Sequence, residues 1–183
     1  MPVLREKNRR PERISPEQIH GRNGEKFIMA FEKAKAYLET FGLADRIIVT
    51  DHSSATVTEA AEALHCEPAM IAKTLSFLQG EQPVLILADG TARIDNHKYK
   101  ERFGCKAKMI PGDQVEALIG HEIGGVCPFG INEGVTVYLD RSLRRHETVY
   151  PAGGSDHSGV RLTIAELERC SGFSDWVDVC RDE

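Results

Sequence analysis

The sequence predicts one α+β domain built on a strongly curved mixed β-sheet with helices around it. Three observations point there. The chain has 183 residues, the size of one well-buried domain. Short apolar runs of strand character mix with short amphipathic segments, without the regular alternation of a doubly wound sheet. Beyond residue 24 there is no internal repeat and no linker-like stretch.

Residues 1–24 form a polar arm broken by Pro2, Pro11 and Pro16, and residues 25–183 form the domain. Residues 1–26 hold seven Lys/Arg against four Glu, so the start is basic and the remainder acidic. That composition describes a solvated, partly disordered arm, or one that helps hold a polyanion. Ser15-Pro16-Glu17-Gln18 could cap a short helical turn within it. Apolar residues from Phe27 to Phe41 recur at three- and four-residue steps, which predicts an amphipathic helix closed by Gly42. Arg46–Thr50 reads as a strand, and Thr58–His65 as a helix capped by Thr56 or Thr58. Glu67–Ala72 is expected to begin a third helix, with Pro68 in its first turn.

Thr74–Leu78 and Pro83–Ala88 read as strands joined by a turn over Gln79–Gln82, and Asp89-Gly90 as a further turn. A helix follows from Asp95 to Phe103, capped by Asp95 or Asn96 and ended by Gly104. Lys106–Ile110 is expected as a strand, and Gln114–Ile119 as a helix capped by Asp113. Thr136–Asp140, Thr148–Tyr150 and Val160–Leu162 read as strands, with a helical turn over Ser142–His146. Thr163 and Glu166 form a capping box for Ile164–Cys170, and Gly172 ends that helix.

Composition excludes several roles. Hydrophobic content of 41% and charged content of 28% are those of a globular protein. The net charge of −5 excludes a uniformly basic nucleic-acid surface, so DNA is not an expected partner, while a local basic patch stays open. No apolar run approaches the ~20 residues of a membrane helix, and the start has no secretory h-region. The five cysteines are scattered, with no CxxC pair, which favours reduced thiols in a cytoplasmic setting. No HxxH or HExxH pattern occurs, so neither metal nor cofactor is expected.

The stretch richest in chemistry is GGVCPFG, Gly124 to Gly130. Gly124 and Gly125 let a ligand approach the main chain, and Pro128 stiffens the loop. Such a loop can aim successive N–H groups at an anion or a carbonyl oxygen; a plain surface turn has the same composition. Ala152-Gly153-Gly154-Ser155 is a second loop of small residues. Cys127 could be a nucleophile or a small wall residue, and His52 a base or an idle loop histidine. Lys73 could be a solvated lysine at a helix end or a pocket cation.

The ordered set SSATVTEAAEAL, IAKTLSF, GHEIGGVCPFG, VYLDRSL, VYPAGGS and LTIAELERCSGF resembles the YbaK/EbsC family, free-standing relatives of the prolyl-tRNA synthetase editing domain. The resemblance covers residues 37–173. It implies a curved, barrel-like mixed sheet and hydrolysis of the ester between a small amino acid and the wrong tRNA, of the Cys-tRNA(Pro) or Ala-tRNA(Pro) type. By position, Lys73 matches the family's pocket lysine. Gly124, Gly125, Val126, Cys127 and Pro128 match its GxxxP substrate loop, and Gly153 and Gly154 a loop across the pocket. His52, Ser53 and Ser54 occupy the entrance stretch. Pro151 and Cys127 stand where relatives often carry Ser, which bears on the amino acid accepted. The implied partner is the acceptor end of an aminoacyl-tRNA, with affinity that a synthetase could supplement. A non-catalytic module that holds such an end, or a synthetase surface, is the rival reading; a hydrolase of simple acyl esters is another.

Overall fold

Residues 22–182 are described by a computed structural model, with side chains from residue 28 onward. The basic arm up to residue 21 and the Ser15–Gln18 turn lie outside the described residues; Arg22–Gly24 already belong to the first helix.

The centre is a hairpin. β2 (Ala72–Gln79) and β3 (Gln82–Asp89) pair antiparallel through a tight turn in which Gly80 takes a φ of 65°. β3 pairs parallel with β5 (Thr136–Asp140), and β5 parallel with β9 (Asp175–Val177), giving the order β2-β3-β5-β9. Three two-stranded ladders surround this sheet: β1 (Ile47–Val49) with β7 (Ser158–Val160), β4 (Arg93–Ile94) with β10 (Cys180–Arg181), and β6 (Thr148–Val149) with β8 (Leu162–Thr163). Single bridges, Ile71 to Tyr150 and Ala152 to Gly159, link the ladders to the start of β2. The sheet is mixed, as expected, but the described strands do not close into a barrel.

Alternation along β2 and β3 sorts the core into two layers. Leu85, Leu87, Val137 and Leu139 face α1 (Arg22–Glu39), α4 (Gly112–Ile119) and α5 (Ile164–Cys170). Phe77, Val84, Ile86 and Ala88 face α3 (Asn96–Phe103), whose Tyr99 is fully buried among them. A satellite cluster joins α2 (Val57–Leu64) to Ile71 and Tyr150.

Local signals hold where capping chemistry is explicit. Thr56 and Glu59 form a reciprocal capping box on α2, Asp95 accepts the His97 and Lys98 N–H groups at the start of α3, and Thr163 with Glu166 caps α5. Three expectations are corrected. Glu67–Ala72 does not start a helix: Pro68–Met70 makes one 3-10 turn, and the chain leaves it extended, because the N–H of Ala72 bonds to the Tyr150 carbonyl. Asp113 does not cap α4; the helix begins at Gly112, and Pro111 fills the cap position without a side-chain bond. Lys106–Ile110 is no full strand but an edge segment held to β2 by the Met109–Phe77 bridge and the bonds Leu78 N–H to Lys108 O and Ile110 N–H to Ser76 O.

Candidate functional site

One face of β2 carries Thr74 and Ser76, small polar residues where a core strand would carry Val or Leu. Opposite them stand the start of α2, the GGVCPFG loop and the Pro151–Ala152 segment. Their small residues leave a cavity of about 490 Å³. Ser54, Ala55, Gly124, Ala152 and Ser158 line it together with Ile110, Val115 and Ile123. Ser76 is buried in that wall, and the Thr74 hydroxyl is buried without a hydrogen-bond partner.

Two loops build the wall by pressing together. A Cβ on Gly125 would meet Ser155 N at 2.7 Å and Gly154 C at 2.8 Å, so only glycine fits there. Gly154, at a φ of 92°, lies equally close to the α1 backbone, 2.7 Å from Ala30 O to its notional Cβ. The Gly125 N–H closes a turn onto Glu122 O at 3.1 Å, whereas the Val126 N–H has no acceptor among the described residues. Beneath the loop, Cys127 is fully buried, with Sγ 3.6 Å from His121 Nε2 and 3.7 Å from Phe129 O. Burial pushes this thiol up to about 12. Burial also lowers the His121 imidazole, whose Nε2 lies 2.7 Å from the Phe129 carbonyl. A thiol–imidazole pair thus exists, but both groups are fully buried and neither lines the cavity. The arrangement packs the loop and does not present a nucleophile.

The other sequence-derived residues distribute as follows. Ser54, Lys73, Gly124 and Val126 line the cavity. Gly125, Cys127, Pro128, Gly153 and Gly154 are buried and back its wall without lining it. His52 and Ser53 line a neighbouring hollow with Asp51, Glu59 and His65; Ser53 donates to Glu59 Oε2 at 3.1 Å. Lys73 is a strand residue, not a helix end. It shares the face of Leu75 and Phe77, opposite Thr74 and Ser76, and its ammonium donates to the Ala92 carbonyl and, at 3.3 Å, to the Gly90 carbonyl. Sequence reasoning missed Thr74, Ser76, Tyr150 and Ser158; period-two polarity on an otherwise apolar strand was the signal for the first two. Among the described residues, no carboxylate, imidazole or thiol lines the main cavity, and no group of three His, Cys, Asp or Glu is placed to hold a metal ion. No helix among them is long and apolar enough to cross a membrane.

The model of the aminoacyl-tRNA editing domain family matches residues 51–170. "Uncharacterized protein YwhH" of Bacillus subtilis (strain 168) is 43% identical over 155 residues, covering 84% of this chain and 99% of its own length. The proline–tRNA ligase of Limosilactobacillus fermentum is 30% identical over 120 residues, 62% of this chain but 21% of the ligase, so the similarity spans about a fifth of that synthetase. A solved structure described as that of "a putative trans-editing enzyme for prolyl tRNA synthetase" superposes with a TM-score of 0.75 at 30% identity, over 83% of this chain and 97% of the other.

Proposed function

The chain belongs to the aminoacyl-tRNA editing domain family, and from that premise we propose that it is a trans-editing deacylase. It hydrolyses the ester of a small amino acid wrongly attached to tRNA, with tRNA(Pro) the leading acceptor and the cytoplasm the place of action. The observation that carries this reading is the cavity walled by Ser54, Ala55, Gly124, Ala152 and Ser158, which offers room for a small side chain and polar contacts for an α-amino group.

The chemistry asks little of side chains. An aminoacyl ester is already activated, so the needs are a placed water, donors for the tetrahedral oxyanion and a proton for the leaving ribose oxygen. The Val126 N–H, held by the Gly125–Gly154 contact, suits the oxyanion, a donor of the kind worth about 3–4 kcal/mol in the transition state. The neighbouring 2′-hydroxyl of the substrate relays the proton, which fits a wall without carboxylate or imidazole. Lys73 supplies positive charge at the wall where the terminal phosphate of the tRNA enters.

Single-turnover deacylation of tRNA(Pro) charged with Ala, Cys, Ser or Pro tests the proposal. Wild type should release one small amino acid rapidly, and Lys73→Ala should lose that release. Binding without release from any of them would leave a non-catalytic module as the better account.

A further inference from the structure

A second hollow of about 320 Å³ lies across the edge of β2 from the main cavity. The two hollows share Lys73, Leu75 and Met109 in their walls, so one edge separates them. The second is floored by Leu75, Phe77 and Ile94 and carries Arg93 and Asn96 at its rim. Met109, 57% exposed, stands on the divide. The edge segment it belongs to is extended, so Ala107 and Met109 turn towards the second hollow while Lys106 and Lys108 point to the other side of the edge. Both lysines are exposed, and neither makes an ion pair among the described residues. By contrast, Lys98 and Arg102 of the adjacent helix are paired to Asp178 and Asp175. In a chain of net charge −5, two uncompensated lysines on an edge between two hollows form a local cationic crossing.

We infer that this edge is where the single-stranded 3′ end of the RNA crosses β2: a base near the aminoacyl ester seats against Met109 in the second hollow, and Lys106 and Lys108 take the phosphates. The inference rests on the proposed tRNA substrate but concerns binding, not hydrolysis. The size fits: the second hollow takes one flat base over an apolar floor, with Arg93 and Asn96 as polar partners at its margin, and is too small for a duplex. Continuity fits as well, because Lys73, Leu75 and Met109 line both hollows, so a chain whose ester lies in the main cavity reaches the second hollow over the shared edge.

The test is fluorescence anisotropy of the full chain with a labelled, uncharged, single-stranded RNA ending in CCA, read across a salt series. Wild type should bind. Lys106→Gln/Lys108→Gln should weaken binding about tenfold and flatten the salt slope by about 1.4, two phosphate contacts at roughly 0.7 each. Met109→Glu should weaken binding by about tenfold through lost base contact and repulsion. These positions are exposed, so the fold should survive, with unfolding midpoints as a check. Undiminished binding in both variants, or no binding by wild type, overturns the inference. Deacylation separates it from the proposed function. If RNA binding follows the pattern but no mischarged tRNA is cleaved, the crossing stands and hydrolysis falls. If the lysine variant cleaves full-length mischarged tRNA as well as wild type at sub-saturating protein, hydrolysis stands and the crossing falls.

Discussion

Gly125→Ala gives the sharpest test of how the cavity wall is built. The added Cβ would lie 2.7 to 2.8 Å from Ser155 N, Gly154 C and Ser155 Cα, all main-chain atoms that no rotamer change can clear. Ordinary contact begins near 3.4 Å, so the two loops must part by about 0.6 Å. Overpacking of this kind costs about 1–3 kcal/mol of stability. The catalytic cost follows from position: a misplacement of 1 Å loses about a hundredfold, so about 0.6 Å should lose on the order of tenfold in single-turnover rate. Gly134→Ala is the matched control. Gly134 has a φ of 84° but open space around it, so alanine there should cost about 1–2 kcal/mol through backbone strain and leave deacylation untouched. Urea unfolding and single-turnover deacylation of both variants decide the matter. A Gly125→Ala protein with wild-type midpoint and wild-type rate would refute the idea that loop contact positions the Val126 N–H.

Four further outcomes are expected. With its thiol pushed up to about 12 and no exposure, Cys127 should resist iodoacetamide at pH 8 in the native state, and Cys127→Ala should deacylate within a few-fold of wild type; loss of activity without loss of stability would restore a nucleophilic role. Thr56→Ala removes the capping box of α2 and should lower stability by about 1 kcal/mol in urea unfolding. Burial alone would raise Asp89, but the bonds from His146 and Thr91 and the charge of Arg145 outweigh it and hold the carboxyl below its usual range. Its contribution is therefore complete above the unfolded value near 3.9 and is lost as pH falls through the lower folded value; Asp89→Asn should cost about 2–3 kcal/mol at pH 7 and blunt the loss of stability below about pH 4. A substrate ending in 2′-deoxyadenosine should be deacylated about a hundredfold or more slower, if the ribose hydroxyl relays the proton; an unchanged rate would require a protein base.

What was legible in the sequence was what short-range chemistry controls. Thr56-x-x-Glu59, Asp95 before Asn96, Gly104, and Thr163-x-x-Glu166 each act within one helical turn, and each appears where its side chains demand. The Glu67–Ala72 segment failed because its decisive bonds are distant: Tyr150 carbonyl to Ala72 N–H and Met70 carbonyl to Tyr150 N–H cross about eighty residues of chain. Lys73 fell just before the expected strand, at the end of the expected helix, and only the extension of β2 back to Ala72 places it on the face of Leu75 and Phe77. Gly124, matched through the family resemblance, stands in the cavity wall, whereas Gly153 and Gly154 are contact glycines: Gly154 lies against Ala30 and Ala34 of α1, and Gly153 against Ser158 and Val160.

The same division bears on how a wall with so little reactive chemistry would serve the proposed hydrolysis. The thiol and the imidazole beside the GGVCPFG loop are spent on structure. His121 and Cys127 are sealed beneath the GGVCPFG loop, and the Lys73 ammonium, the one charged group lining the cavity among the described residues, is oriented by the Gly90 and Ala92 carbonyls. Apart from Lys73, the described residues that line the cavity are glycine, hydroxyl and apolar side chains. A site of that kind cannot cleave an unactivated amide, because it has no base to raise a water and no acid to release an amine. It can discriminate and orient an ester that carries its own neighbouring hydroxyl, since shape, two rigid glycine loops and a fixed N–H donor are sufficient for that task. Specificity then resides in the same small residues that hold the loops together. Enlarging Ala55, Ala152 or Ser158 should therefore narrow the amino acids admitted before it slows the chemistry on the smallest of them.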